Sequence, residues 1–214
     1  NIVTEQGGGL RLALRTLNTG RLTLPAASAG SMKQALRMAK QWSLERVQWG
    51  APVGHHEAVA NKIATMAADI FAVEAHTWLT SAMADQGGAD IRLEAAMAKL
   101  YSSESLWRTV DTALQVRGGR GYETADSLRG RGEMPMPMER MLRDARINMI
   151  IEGTSEIMRL FIAREALDPH LKAAGASATS GKADFAKAAK FYAGWYPQQW
   201  LPYVSTKDVE VNPR

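Results

Sequence analysis

The chain has 214 residues, 46% hydrophobic and 22% charged, a globular mix that excludes wholesale disorder and collagen-like repeats. It has no cysteine, and its four histidines show no His-Glu-x-x-His spacing; disulfides, thiolate metal sites, cysteine catalysis and the commonest zinc pattern are therefore excluded, and no metal is expected. Twenty-six Lys plus Arg against 22 Asp plus Glu leave a net charge of +4, too small and too dispersed for a nucleic-acid partner.

The chain opens on Asn1-Ile2-Val3 instead of methionine, the expectation being a processed start or an upstream part that is missing. Leu22-Thr23-Leu24 is the only strand-like fragment, and Pro25 argues against it. A helix is expected from Met32 to Val47, stopped by Gly50-Ala51-Pro52. A second runs from about Glu57 to Gln86, where Val59, Ile63, Met66, Ile70 and Val73 recur at bundle spacing and Gly87-Gly88 ends the pattern. Asp90 reads as the N-cap of a third helix to about Val116, with Leu93, Met97, Leu100, Trp107, Val110 and Leu114 on one face.

Residues 117–146 are rich in Gly, Pro, Met and Arg and read as a long loop with a functional reason for its length. A fourth helix is expected over Ser155 to Leu167, ending before Pro169. Residues 171–183 read as a linker, followed by a short amphipathic helix (Phe185, Ala188, Ala189, Tyr192, Trp195) and an aromatic, Pro-rich tail. Long helices with short connectors predict an all-α antiparallel four-helix bundle with a C-terminal helical extension.

Two stretches carry chemistry. Arg117-Gly118-Gly119-Arg120-Gly121-Tyr122 lacks the strand-then-helix context of a dinucleotide fingerprint; it reads as a helix C-cap whose glycines also permit close approach to a ligand. Glu152-Gly153-Thr154-Ser155 places a carboxylate after the apolar Ile147, Ile150 and Ile151, then a glycine turn and a capped helix start. The spacing suits a general base or an exposed turn carboxylate equally well.

Five motifs in order close that choice by likeness. Leu17-Asn18-Thr19-Gly20-Arg21, Glu45-Arg46-Val47-Gln48-Trp49-Gly50, Gln115 to Gly121, Arg143-Asp144-Ala145-Arg146 and Ile151 to Ile157 together resemble the acyl-CoA dehydrogenases. The asparagine of the first motif and Asp85 to Asp90 leading into Leu93-Glu94-Ala95-Ala96 resemble the very-long-chain branch. The resemblance implies residues 1–15 as the end of a β-domain, 16–168 as the C-terminal bundle, and 169–214 as linker and extension.

It also implies roles. Glu152 matches the base that takes the α-proton of an acyl-CoA thioester while a hydride passes to FAD. Asn18, Arg21 and Gly153 match substrate-side positions. Arg46, Gln48, His56, Glu57 and the segment Gln115, Val116, Arg117, Gly118, Gly119 match contacts to the flavin of a neighbouring subunit. Thr154, Ser155 and Glu156 match contacts to the chain's own flavin.

Glutamate at 57 departs from the usual glutamine, and Ile151 from the aromatic that many relatives place before the base. Gly20 stands where some relatives carry the base, and it cannot serve as one. The insertion-like Arg129 to Pro137 is expected as a solvated loop ahead of a phosphate or partner contact.

Electron-transfer flavoprotein is the implied acceptor and a homodimer or homotetramer the implied assembly, in bacterial cytosol or mitochondrial matrix. The tail aromatics Trp195, Tyr196, Trp200 and Tyr203 are expected to pack on the bundle or a second subunit ahead of a membrane surface. An acyl-CoA oxidase and a non-catalytic oligomerisation fragment are the alternatives.

Overall fold

Buried apolar residues at helical spacing build the bundle, and a computed structural model describes it over residues 5–87, 90–173 and 185–204. Its elements are α1 (Gly9–Glu45), a hairpin of β1 (Val47–Gln48) and β2 (Ala51–Pro52), a 3-10 turn (Val53–His55), α2 (Glu57–Gln86), α3 (Arg92–Arg117), α4 (Gly119–Tyr122), α5 (Ala125–Gly130), α6 (Met138–Ile147), α7 (Ser155–Ala173) and α8 (Phe185–Val204). The all-α class holds, and α2 has the predicted bounds, its seam buried at Met66, Ile70 and Val73. The chain forms two units, residues 1–162 and 163–214, described separately below.

α1 is far longer than the Met32–Val47 helix expected. It runs through Leu22-Thr23-Leu24 and through Pro25, which is fully buried. Proline has no N–H to donate to the carbonyl four residues back. The missing bond falls at Arg21. Burial of Leu24, Ala29, Met32, Ala35, Met38 and Ala39 on one stripe offsets that loss. Residues 9–15, expected to close a β-domain, lie in the first turns of α1.

The expected plain stop after α1 is a small hairpin, Val47 opposite Pro52 and Gln48 opposite Ala51. Trp49 (φ 49°) and Gly50 (φ 82°) both take positive φ, as a two-residue hairpin turn requires.

α3 is the central helix, and its buried face differs from the predicted one. Ala95, Ala96, Ala98, Ser102, Ser103, Ser105 and Ala113 are buried beside Leu106 and Val110, whereas Met97 is 42% exposed. Small residues let α1 and α2 approach closely, and two of the buried hydroxyls bond within the helix: Ser102 donates to the Lys99 carbonyl (3.2 Å) and Ser103 to that of Leu100 (3.1 Å). Asp90 precedes the cap residue Ile91, and its Oδ1 accepts the Arg92 N–H at 3.2 Å.

Residues 117–146 are three helices packed on the bundle, not a loop, with Leu128, Met136, Met138 and Ala145 buried. Arg120 forks onto Glu133 (2.9 Å to each oxygen) and reaches Glu123 (3.0 Å), Arg131 sits between the same two acids, and Arg129 pairs with Asp126. The arginines of the expected solvated loop thus neutralise its own acids.

α7 continues past Pro169 to Ala173 instead of ending before it. In the second unit His170 is ringed by Phe191, Tyr192 and Trp195, with Nδ1 3.2 Å from the Tyr192 hydroxyl. The expected linker falls mostly outside the described residues, as do the side chains of Trp200 and Tyr203. α8 reaches Val204, through the part expected as a non-helical tail.

Candidate active site

The turn between α6 and α7 sets the geometry around Glu152. Glu152 and Gly153 take φ of +55° and +102°, two left-handed residues in succession. A non-glycine residue there costs on the order of 1–2 kcal/mol, so neighbours must hold it. Three do so. Ser155 N–H donates to the Met149 carbonyl (3.1 Å), Met158 N–H to Thr154 (2.8 Å), and Lys99 Nζ to the Gly153 carbonyl (2.6 Å).

The turn lays the Glu152 carboxyl against α1 at Gly20. A Cβ at position 20 would lie 2.6 Å from Oε2 and 2.7 Å from Cδ, so any side chain there displaces the carboxyl. Oε2 is buried with no hydrogen-bond partner among the described residues. Two buried cations flank the carboxylate. Arg21 is 8% exposed with its guanidinium 5.3 Å from the Phe161 ring centroid, and Lys99 is 0% exposed. Burial lowers both from their ordinary values, and the Glu152 charge pulls each back up.

Thr154, Ser155 and Glu156 open α7 on the same turn. The Thr154 hydroxyl accepts the Ile157 N–H at 3.4 Å, Ser155 is 3% exposed, and Glu156 is exposed. The Glu156 carboxyl is held below its usual range, first by its own N–H and then by Thr154. Asn18 is on α1 near Gly20, and its side chain lies outside the described residues. Ile147, Ile150 and Ile151 are exposed.

A second cluster gathers at the far end of α3. Arg46, Gln48, Val116, Arg117, Gly118 and Gly119 line one cavity of about 440 Å³. Trp42, Trp49, Val53, Val59 and Arg120, to which sequence reasoning gave no site role, line it too. Gln115 and Glu57 are exposed and not among the lining residues. His56 Nε2 lies 3.0 Å from the Gln48 carbonyl, and its ring meets Trp49 edge-on at 5.6 Å, so it braces the hairpin. Arg117 is 4% exposed, over Trp42 at 5.1 Å and bonded to Met136 Sδ, with Nε buried and lacking an acceptor among the described residues. Gly118 (φ 60°) and Gly119 leave open space where a Cβ would stand, and the cavity volume is that of a ligand pocket.

Lys99 is the functional candidate that sequence reasoning missed. A lysine in Ala-Met-Ala-Lys-Leu reads as a solvated helix position, and only its complete burial sets it apart.

A helical bundle with a carboxylate on a strained turn at one end of its central helix and a basic, glycine-edged cavity at the other defines the class. Residues 7–167 match the family described as "Acyl-CoA dehydrogenase, C-terminal domain", and the chain belongs to that family. It is 57% identical over 205 residues to "Probable acyl-CoA dehydrogenase FadE10" of Mycobacterium tuberculosis, covering 92% of this chain and 31% of that protein. It is 37% identical over 164 residues to the bovine mitochondrial "Very long-chain specific acyl-CoA dehydrogenase", covering 76% of this chain and 23% of the relative. Among solved structures, an acyl-CoA dehydrogenase from Bacillus anthracis complexed with FAD superimposes with a TM-score of 0.65 at 30% identity, covering 78% of this chain and 30% of that one. The chain thus spans about a third or less of the length of these relatives.

Proposed function

We propose that this bundle serves an FAD-dependent acyl-CoA dehydrogenase that converts a fatty acyl-CoA to its trans-2-enoyl-CoA, with Glu152 as the base. The observation that supports the reading is the Glu152 carboxyl itself. It is held on a left-handed turn, fitted over a glycine, flanked by Arg21 and Lys99, and has one oxygen buried without a partner among the described residues.

A thioester α-proton is weakly acidic, so a base must be oriented at it and the developing enolate oxygen met by fixed donors. Glu152 takes the α-proton on its carboxylate, and the C–H electron pair moves into the enolate. The Glu152 backbone N–H is the donor this chain contributes at that oxygen. FAD, when bound, accepts the hydride that leaves the β-carbon. Arg21, Asn18 and Gly153 face the acyl-CoA in this reading, and Thr154, Ser155 and Glu156 face the chain's own flavin.

The residues of the second cavity fit the nucleotide part of a flavin. A guanidinium at Arg46, two tryptophan rings and two glycines with open faces suit a pyrophosphate and an adenosine. From Lys99 to Arg117 α3 rises about 27 Å. That separation supports assigning the cavity to the flavin of a neighbouring subunit, as in a homodimer or homotetramer. Gln48, His56, Glu57, Gln115, Val116, Arg117, Gly118 and Gly119 complete that assignment. Electron-transfer flavoprotein is the proposed acceptor, and bacterial cytosol or mitochondrial matrix the proposed location, the bovine relative being named as mitochondrial. No described helix is long and apolar enough to cross a membrane.

The test is Glu152→Gln in the full-length protein. Flavin content should be retained while turnover and exchange of the substrate α-proton with solvent are lost. Exchange at the wild-type rate would remove Glu152 from the role.

A further inference from the structure

We propose that Lys99 is the positioning residue for the base: its ammonium, anchored on the Gly153 carbonyl, holds the left-handed turn that aims the Glu152 carboxyl. The proposal rests on the reading of Glu152 as the base and adds a residue that no motif of the resemblance contains.

Three observations carry it. First, the Lys99 side chain is fully buried, which for a lysine is costly unless a specific interaction repays it. Its interaction is a 2.6 Å bond to the carbonyl of the residue after the base, 54 positions further along the chain. Second, that carbonyl belongs to the second of two left-handed residues, the strained part of the turn. Third, the charge is placed for electrostatics as well as for bonding. Glu152 raises the Lys99 affinity for its proton against the burial that lowers it, so the two charges are coupled.

Around the pair stand Arg21 from α1, which opposes the Lys99 charge, and Glu104 of α3, which supports it and is itself paired with Arg159 from α7. A packing role alone would be served better by an apolar side chain of the same length, since burying a charge costs more than burying methylenes.

Without the ammonium the Gly153 carbonyl loses its anchor, and the base is less well aimed.

The experiment compares Lys99→Met, Lys99→Gln and Lys99→Arg with Glu152→Gln in the full-length, flavin-loaded protein. Read-outs are kcat, KM, substrate α-hydrogen exchange into deuterated solvent, flavin content and circular dichroism. Lys99→Met should lower kcat and exchange about tenfold or more, with KM and flavin content near wild type. Lys99→Arg, which keeps charge and donor, should recover most of both.

Wild-type kcat and exchange in Lys99→Met would overturn the proposal. So would equal impairment of the Met and Arg variants, the pattern of a side chain that only packs. If Lys99→Met does not fold, Lys99→Gln decides: its shorter amide lacks the reach of the ammonium to the Gly153 carbonyl, and wild-type kcat and exchange in it overturn the proposal. Loss of exchange in Glu152→Gln with a wild-type Lys99→Met sinks only this proposal, whereas exchange surviving in Glu152→Gln sinks the base reading beneath it.

Discussion

Gly20 shows how one missing side chain builds a site. Within a helix a glycine is a local liability, worth about 0.5–1 kcal/mol against alanine, and nothing nearby on α1 requires its flexibility. Its reason is Glu152, whose carboxyl occupies the space a Cβ would take. Gly20→Ala should therefore separate stability from activity. The thermal midpoint should stay or rise, because α1 gains a better helix former, while kcat falls about tenfold or more as the carboxylate is pushed off its position. An unchanged kcat would show that the close fit has no functional weight. Arg21 and Lys99 complete the same logic. Each is lowered by burial first and restored in part by the Glu152 charge, so the three behave as one electrostatic unit.

Among the elements, α3 is the frame. Its Ala and Ser residues allow close packing on α1 and α2, and its two ends carry Lys99 and Arg117 into separate clusters. The α4–α6 segment is the clamp on the second cluster. Leu128 and Met138 enter the core, Met136 meets Arg117, and Glu133 holds Arg120. The α2–α3 packing also contains a titrating group, His76. Burial lowers it from 6.5, and Glu94 raises it in smaller measure. Because the folded value lies below the unfolded one, the unfolded chain takes up its proton first. The stability concerned is fully present above pH 6.5 and is lost as pH falls through the folded value. The thermal midpoint should accordingly drop less between about pH 7 and pH 5 in His76→Gln than in the wild type. Equal slopes in the two proteins would show that His76 carries no such dependence.

For the whole molecule, the distance along α3 between the Glu152 cluster and the basic cavity is the governing fact. Arg46→Ala should lower flavin retention in the full-length protein while leaving bundle helicity and thermal midpoint near wild type; flavin content at the wild-type level would detach the cavity from the cofactor. The all-α class and the bounds of α2 were legible in the sequence, because a regular apolar seam with a glycine stop is a local signal. Five short motifs in order likewise carried the family on sequence alone. Other elements were not legible. Pro25 and Pro169 marked helix ends locally, yet both helices run through them, α1 on the strength of its buried apolar stripe. Glycines and prolines in 117–146 indicated a loop, and the bundle surface turned it into three short helices. The face of α3 was misread because its contacts are made by small residues that hydropathy weighs lightly. By itself, then, the sequence determined the helical class and the family. Only the tertiary structure decided that Gly20, Arg21, Lys99 and Glu152 meet, since close approach of residues far apart in the chain, and the burial of a lysine, are products of packing that no local pattern encodes.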